Sequence, residues 1–310
     1  MEYAVLYVPV HYERFHMVQR QSWRNYLYFL PIGIFIVFIY LYPLLYAMVL
    51  AFMQKSLLKP HMDGFIGLGN FKRLFFEEPL FWLSLKNGLI FTFFSVVFEY
   101  LLGLIVAITL NSRFARMKST AKALLMLPWA VPIAINSMMW KFLLAPNFGF
   151  LGQVLAALGM SSMIHMNWLG SVETVMPIVI AINVWRSFPF YTITLTAGLS
   201  SIPKELYEAA EVDGANGWQR FCKVTLPGIK DTSMVIVVFH IIWTFINFDV
   251  IYLLTAGGPL NATEVLPTLL YRQAFSYFDM GYASSIGLFI FVILMVFVAP
   301  LYTRFVIRGE

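Results

Sequence analysis

Six apolar stretches, near residues 27–52, 87–110, 123–145, 174–199, 232–256 and 282–304, restrict this chain more than anything else in it. About 20 apolar residues in a helix cross the hydrocarbon core of a bilayer, and a helix satisfies its own backbone hydrogen bonds there. The composition points the same way: 60% of the 310 residues are hydrophobic, 12% are charged and the mean hydropathy is +0.76. Soluble domains carry roughly 25% charged residues. The chain is therefore predicted to be an all-α, polytopic membrane protein with six transmembrane helices.

Basic residues between the stretches set the orientation, because Lys and Arg gather on cytoplasmic loops. Arg14, Arg20, Arg24, Arg113, Arg116, Lys118, Lys122, Lys204, Arg220, Lys223, Lys230, Arg304 and Arg308 fall on one side. Only Lys55, Lys59, Lys72, Arg73, Lys86 and Arg272 fall on the other, five of them in the loop 53–86. Both termini and the loop 200–231 are thus placed in the cytoplasm. Residues 27–304 form the expected transmembrane domain, between a cytoplasmic lead-in at 1–26 and a tail at 305–310. The lead-in has no continuous apolar run of the kind a signal peptide needs. Cys222 is the one cysteine, so an internal disulfide is excluded.

The loop 200–231 is the one long polar, helix-prone segment between apolar runs. Pro203 suits a helix start, and Glu205, Glu208 and Glu211 favour the positive helix N-terminus. A first helix is predicted from Pro203 to Asp213, with Leu206, Ala209, Ala210 and Asp213 on a shallow face open to a partner. Gly214 ends it in a left-handed turn. A second helix carries Trp218, Phe221, Cys222 and Thr225 on one side, and Leu226-Pro227 is expected to stop it.

Glu208-Ala209-Ala210, then Gly214, then Val224-Thr225-Leu226-Pro227 resembles the EAA loop. That loop is the coupling element in the membrane subunits of binding-protein-dependent ABC importers. The surrounding run 202–227 is similar to the sugar-importing branch, which includes maltose and glycerol-3-phosphate permeases. Phe248 to Pro259 and Trp185 to Phe190 also look like family features. Val224 stands where that pattern usually has Ile, and Asp231 where a second Pro is common.

The resemblance implies an inner-membrane permease subunit of a prokaryote, translocating a sugar or oligosaccharide. Glu208, Ala209, Ala210, Asp213, Gly214, Leu226 and Pro227 would engage an ATP-binding-cassette ATPase, which binds the ATP and Mg. A second permease, an extracytoplasmic solute-binding protein and membrane lipid complete the expected partners.

Other chemistry is missing from the sequence. No GxxxxGK[ST] cradle occurs, so the chain is not expected to hydrolyse ATP or to act as an enzyme. The five histidines lack ligand spacing, and neither a metal nor a cofactor is expected in this chain. The net charge of +5 is accounted for by the cytoplasmic loops and gives no reason to expect nucleic acid. The alternative is a proton-coupled secondary transporter or membrane enzyme working without an ATPase. Chains of intramembrane carboxylates would favour it, and only Glu99 and Asp249 qualify.

Polar side chains inside the spans form four stripes: Thr92, Ser95 and Glu99; Asn136, Ser137, Trp140 and Lys141; Asn183, Arg186 and Ser187; His240, Trp243, Thr244 and Asn247. Asn136, Asn183, Trp243 and Asn247 are the candidates for a substrate pathway. Their competing role is to hold helices together. Glu99 and Arg186 both fall near the bilayer midplane and are predicted to form a buried ion pair, because either charge alone is costly there.

Overall fold

A computed structural model describes residues 28–303 apart from 60, 62 and 112–117. The expected lead-in at 1–26 and the tail at 305–310 lie outside the described residues. Packing divides the chain into residues 1–47 and 48–310. In the first unit the described residues are the apolar helix α1, which runs from Leu30 to Leu50 across the boundary through a π turn at Val37–Leu41.

The second unit begins with a two-stranded antiparallel hairpin, β1 (Met53–Gln54) and β2 (Gly64–Phe65), not foreseen in the sequence. Helix α2 (Gly69–Lys72) and a π turn at Arg73–Glu77 lead into α3, Pro79–Asn111. At 33 residues α3 is roughly 50 Å long, well beyond a bilayer core, and it starts eight residues before the predicted second span. Short helices α4 (Lys118–Leu125), α5 (Leu127–Ala130), α6 (Ile133–Leu143) and α7 (Phe150–Ala157) follow. Then come α8 (Val172–Ser200), α9 (Lys204–Val212) and α10 (Gly217–Arg220), the last extended by a π turn at Phe221–Thr225. The chain ends with α11 (Leu226–Gly228), α12 (Lys230–Phe245), α13 (Asp249–Thr255), α14 (Leu266–Tyr271) and α15 (Met280–Tyr302).

Four helices among the described residues are long and apolar enough to cross a membrane: α1, α3, α8 and α15. Two of the six predicted spans, the third and the fifth, are each built from shorter helices. The third predicted span is split, because Pro132 holds Val131 in an extended conformation (ψ 130°) and Pro128 sits at the start of α5. The fifth is split at residues 246–248, between α12 and α13.

The most extensive helix pair is α3 with α8. Lipid tails are as apolar as the helix surfaces, so helices in a membrane associate through close packing that small residues permit. Gly103 and Ala107, four apart on α3, supply that surface. A Cβ on Gly103 would lie 2.5 Å from the Cβ of Tyr191 and 3.3 Å from the carbonyl of Phe188. Ala107 is fully buried beside it in a cluster with Leu104, Tyr191, Leu195 and Leu199.

The two ends of the bundle differ. At one end Asn70 is buried and donates to the carbonyls of Ala51 (3.0 Å) and Met53 (2.9 Å), while Arg73 pairs with Asp279 at 2.8 Å and lies over the ring of Tyr282. Leu74 and Phe75 pack against the core there. At the other end Ile202 and Ile229 close the cluster beneath α9 and α10.

Candidate coupling surface and polar core

Helix α9 (Lys204–Val212) is capped by Pro203 and Asp213, one residue inside the predicted bounds at each end, and Gly214 has φ +78°. Its α–turn–α geometry is pinned by local bonds. Asn216 and Gln219 form a capping box, a signal readable as Asn-x-x-Gln and missed in the sequence. Arg220 bonds Glu211 at 3.1 Å, and the Tyr207 and Thr225 hydroxyls are 3.1 Å apart. Leu226-Pro227 does not stop the second helix. The wide π turn delivers Pro227 into the first turn of α11, where its missing N–H costs nothing, and the break falls at Ile229 with a 64° bend into α12.

The inner face of this element, Tyr207, Phe221, Val224 and Leu226, packs on the cluster that holds α3 to α8. Its outer face is open. Glu208, Ala209, Asp213, Gly214 and Pro227 are exposed and Ala210 is half-buried, while the half-buried Leu226 belongs to the inner face. Leu206 (52% exposed), Val212 (89%) and Trp218 (71%) are large apolar side chains lying open on an otherwise polar element.

The intramembrane candidates divide. Glu99, fully buried on α3, accepts from Asn183 Nδ2 on α8 at 2.9 Å. Its other oxygen lies 3.0 Å from His240 Nδ1 on α12. Asn183 Oδ1 in turn accepts from Asn247 Nδ2 at 3.3 Å, and Asn247 Oδ1 accepts from the backbone N–H of Val250 at 3.3 Å. Thr92 and Ser95 are buried on the same side of α3. Asn136 is buried on α6, which packs against α13, while Trp243 is 56% exposed and stacks on Phe239.

The predicted Glu99–Arg186 ion pair is not made. Arg186 forms no salt bridge among the described residues, and Glu99 pairs with His240 instead. His240 takes its place because it faces Glu99 directly from α12, whereas Arg186 lies about a turn beyond Asn183 on α8. The signal was present: a buried carboxylate needs a partner, and His240 stands on the fifth span's polar stripe.

A further cluster escaped the sequence analysis, where Arg272 was only a counted charge. Glu264, fully buried, pairs with Arg272, whose other nitrogen reaches Asn261 Oδ1 at 3.2 Å. Asn87 donates to the carbonyls of Asn261 and Glu264. Gly257 has φ +86°, and a Cβ there would strike the Glu264 carboxylate, so the Gly-Gly-Pro turn is shaped around this pair. Burial pushes the Glu264 carboxyl above its ordinary range, and Arg272 pulls it back. Arg272→Ala is expected to destabilise the chain by about 3 kcal/mol, the usual cost of orphaning a buried charge. Removing the Arg raises the folded-state carboxyl further above its unfolded value. The deficit should therefore shrink as pH falls through that raised value, and Glu264→Gln in the same chain should relieve it at neutral pH. Thermal melts of the unaltered chain and the two variants at two pH values check this.

The described residues thus form a helical bundle with membrane-spanning helices, a buried polar core and an exposed helix pair at one end. Residues 99–309 match the family described as binding-protein-dependent transport system inner membrane component, and the chain belongs to that family. It is 36% identical over 236 residues to the trehalose/maltose transport system permease protein MalF of Thermococcus litoralis, covering 75% of this chain and 77% of that one. To the diacetylchitobiose uptake system permease protein DasB of Streptomyces coelicolor it is 32% identical over 287 residues, covering 92% and 87%. In three dimensions it is similar to a chain of a bacterial ABC transporter involved in the import of the acidic polysaccharide alginate. That match has a TM-score of 0.79 and 26% identity, and covers 91% of this chain and 94% of the other.

Proposed function

We propose that this chain is one permease subunit of an ATP-driven importer that carries a sugar or oligosaccharide across the inner membrane. In this reading it does no chemistry itself, and an ATP-binding-cassette ATPase holds the nucleotide and Mg. Residues 204–228 seat on that ATPase from the cytoplasm: Ala209 and Ala210 permit close approach, Glu208 and Asp213 offer charge, and Leu206, Val212 and Trp218 are covered on docking. Gly214 sets the angle between the two helices, and Leu226 and Pro227 pass its movement into α12. The six crossings are completed by two broken segments, α4 to α6 and α12 with α13. Residues 1–26 and 305–310 lie on the ATPase side.

The exposed apolar side chains of α9 and α10, on an element anchored from beneath, carry the reading. The carbohydrate class is supported by the relatives, whose names specify trehalose/maltose and diacetylchitobiose, and by the alginate importer, also solved in complex with an alginate pentasaccharide-bound periplasmic protein. A second permease and an external binding protein follow from the same likeness.

The test is reconstitution of this chain with the ATPase, second permease and binding protein. Sugar-loaded binding protein is expected to stimulate ATP hydrolysis, with mass spectrometry identifying the bound solute. Uptake by the chain alone on a proton gradient would contradict the reading. Cys222, exposed on the coupling element, gives the sidedness: a membrane-impermeant maleimide is expected to label it in inside-out vesicles and not in right-side-out ones.

A further inference from the structure

The hydrogen bonds from Glu99 to Val250 run in one direction. A carboxylate only accepts, so Glu99 fixes the Asn183 amide with its NH₂ toward α3 and its oxygen toward Asn247. That oxygen fixes Asn247 with its NH₂ toward α8, which leaves the Asn247 oxygen to cap the N–H of Val250 at the start of α13. His240 braces the far oxygen of Glu99, and the Tyr191 ring packs on His240 at 4.3 Å between centroids. One side chain on α3 thus dictates the hydrogen bonding at the break in the fifth crossing, residues 246–248.

We propose that this relay is a latch: Glu99 is a positioning residue that, through Asn183 and Asn247, holds the break between α12 and α13 against α8, and opening it is a step in transport. The inference rests on the reading of the chain as a sugar permease. Breaks in helices are where backbone angles change during rigid-body movements. The Asn183–Asn247 link is the relay's longest side-chain bond, equalled only by the Val250 cap, and Asn247 is half-buried, with exposed Trp243 one turn before it. A substrate hydroxyl, both donor and acceptor, replaces that bond at no loss of hydrogen bonding. Substrate arrival therefore frees the break, while the resting transporter stays latched.

Two measurements test this. Hydrogen exchange at residues 246–250 of the purified chain reads the latch itself. Idle ATP hydrolysis by the assembled complex, without binding protein, reads its role. Asn247→Leu and Asn183→Asp, the latter setting two carboxylates against each other, are expected to raise exchange there. Each is also expected to raise idle hydrolysis about fivefold, the population shift of one lost hydrogen bond. Adding Glu99→Gln to Asn183→Asp restores a donor facing an acceptor and should reverse both effects, which loss of packing volume alone does not predict. Asn247→Leu, far from any added charge, carries the test if Asn183→Asp fails to fold. Unchanged exchange, or raised exchange with idle hydrolysis as in the unaltered complex, overturns the latch. If the unaltered complex shows no hydrolysis, the sugar-permease reading fails, and exchange with its reversal still decides the latch.

Discussion

Gly214→Val is expected to cut uptake at least about tenfold while the protein stays folded in the membrane. Gly214 sits at φ +78°, and nothing lies within 4 Å of where a Cβ would be. The cost is therefore conformational, not steric. A β-branched residue in the left-handed region is strained by roughly 1–2 kcal/mol, and the turn relieves that strain by changing the angle between α9 and α10. A graded series isolates the cause. Asn, which visits this region, should retain most activity, Ala less and Val least. Uptake and ATP hydrolysis measured on the same vesicles should part company in the Val variant, hydrolysis persisting as uptake falls. Equal uptake across the series would show that the angle is irrelevant.

Gly103→Val is expected to destabilise the chain by about 3 kcal/mol, as much as Arg272→Ala. The new Cβ would meet the root of Tyr191 and the backbone of Phe188 and Thr192, at 2.5 to 3.3 Å. None of these is the free end of a side chain, so α3 and α8 must separate. That separation also opens the cluster under the coupling element, which shares Tyr191, Leu195 and Leu199. Membrane yield and the melting temperature in detergent are expected to fall sharply. Gly217→Ala, where a Cβ meets nothing, serves as the neutral control. A Gly103→Val chain as stable as the control would show that the helix pair does not depend on close approach.

Much of the coupling element was legible because its signals are local. A proline, three glutamates and a glycine define α9 within a residue of its observed ends, and each acts through the backbone beside it. The exposure of Val212 and Trp218 was not read from that spacing. What was illegible depends on partners distant in sequence. Nothing near Glu99 indicates that His240, 141 residues on, meets it before Arg186 does. Glu264 and Arg272 are only eight residues apart, yet their burial is set by Asn87 and the turn at Gly257. The third crossing breaks at Pro128 and Pro132, where an apolar average hides what a proline does to the helix. At residues 246–248 no proline or glycine marks the break, which is held by the side chain of Asn247.

The central claim is that residues 204–228 transmit the ATPase's work to the membrane helices. Photo-crosslinking from position 209, at the middle of the shallow outer face of α9, tests it most directly. In the complete complex, with Cys222→Ser so that Ala209→Cys is the only attachment point, the probe is predicted to capture the ATPase subunit. A complex that hydrolyses ATP and imports sugar while position 209 captures only lipid, or the external binding protein, would contradict it.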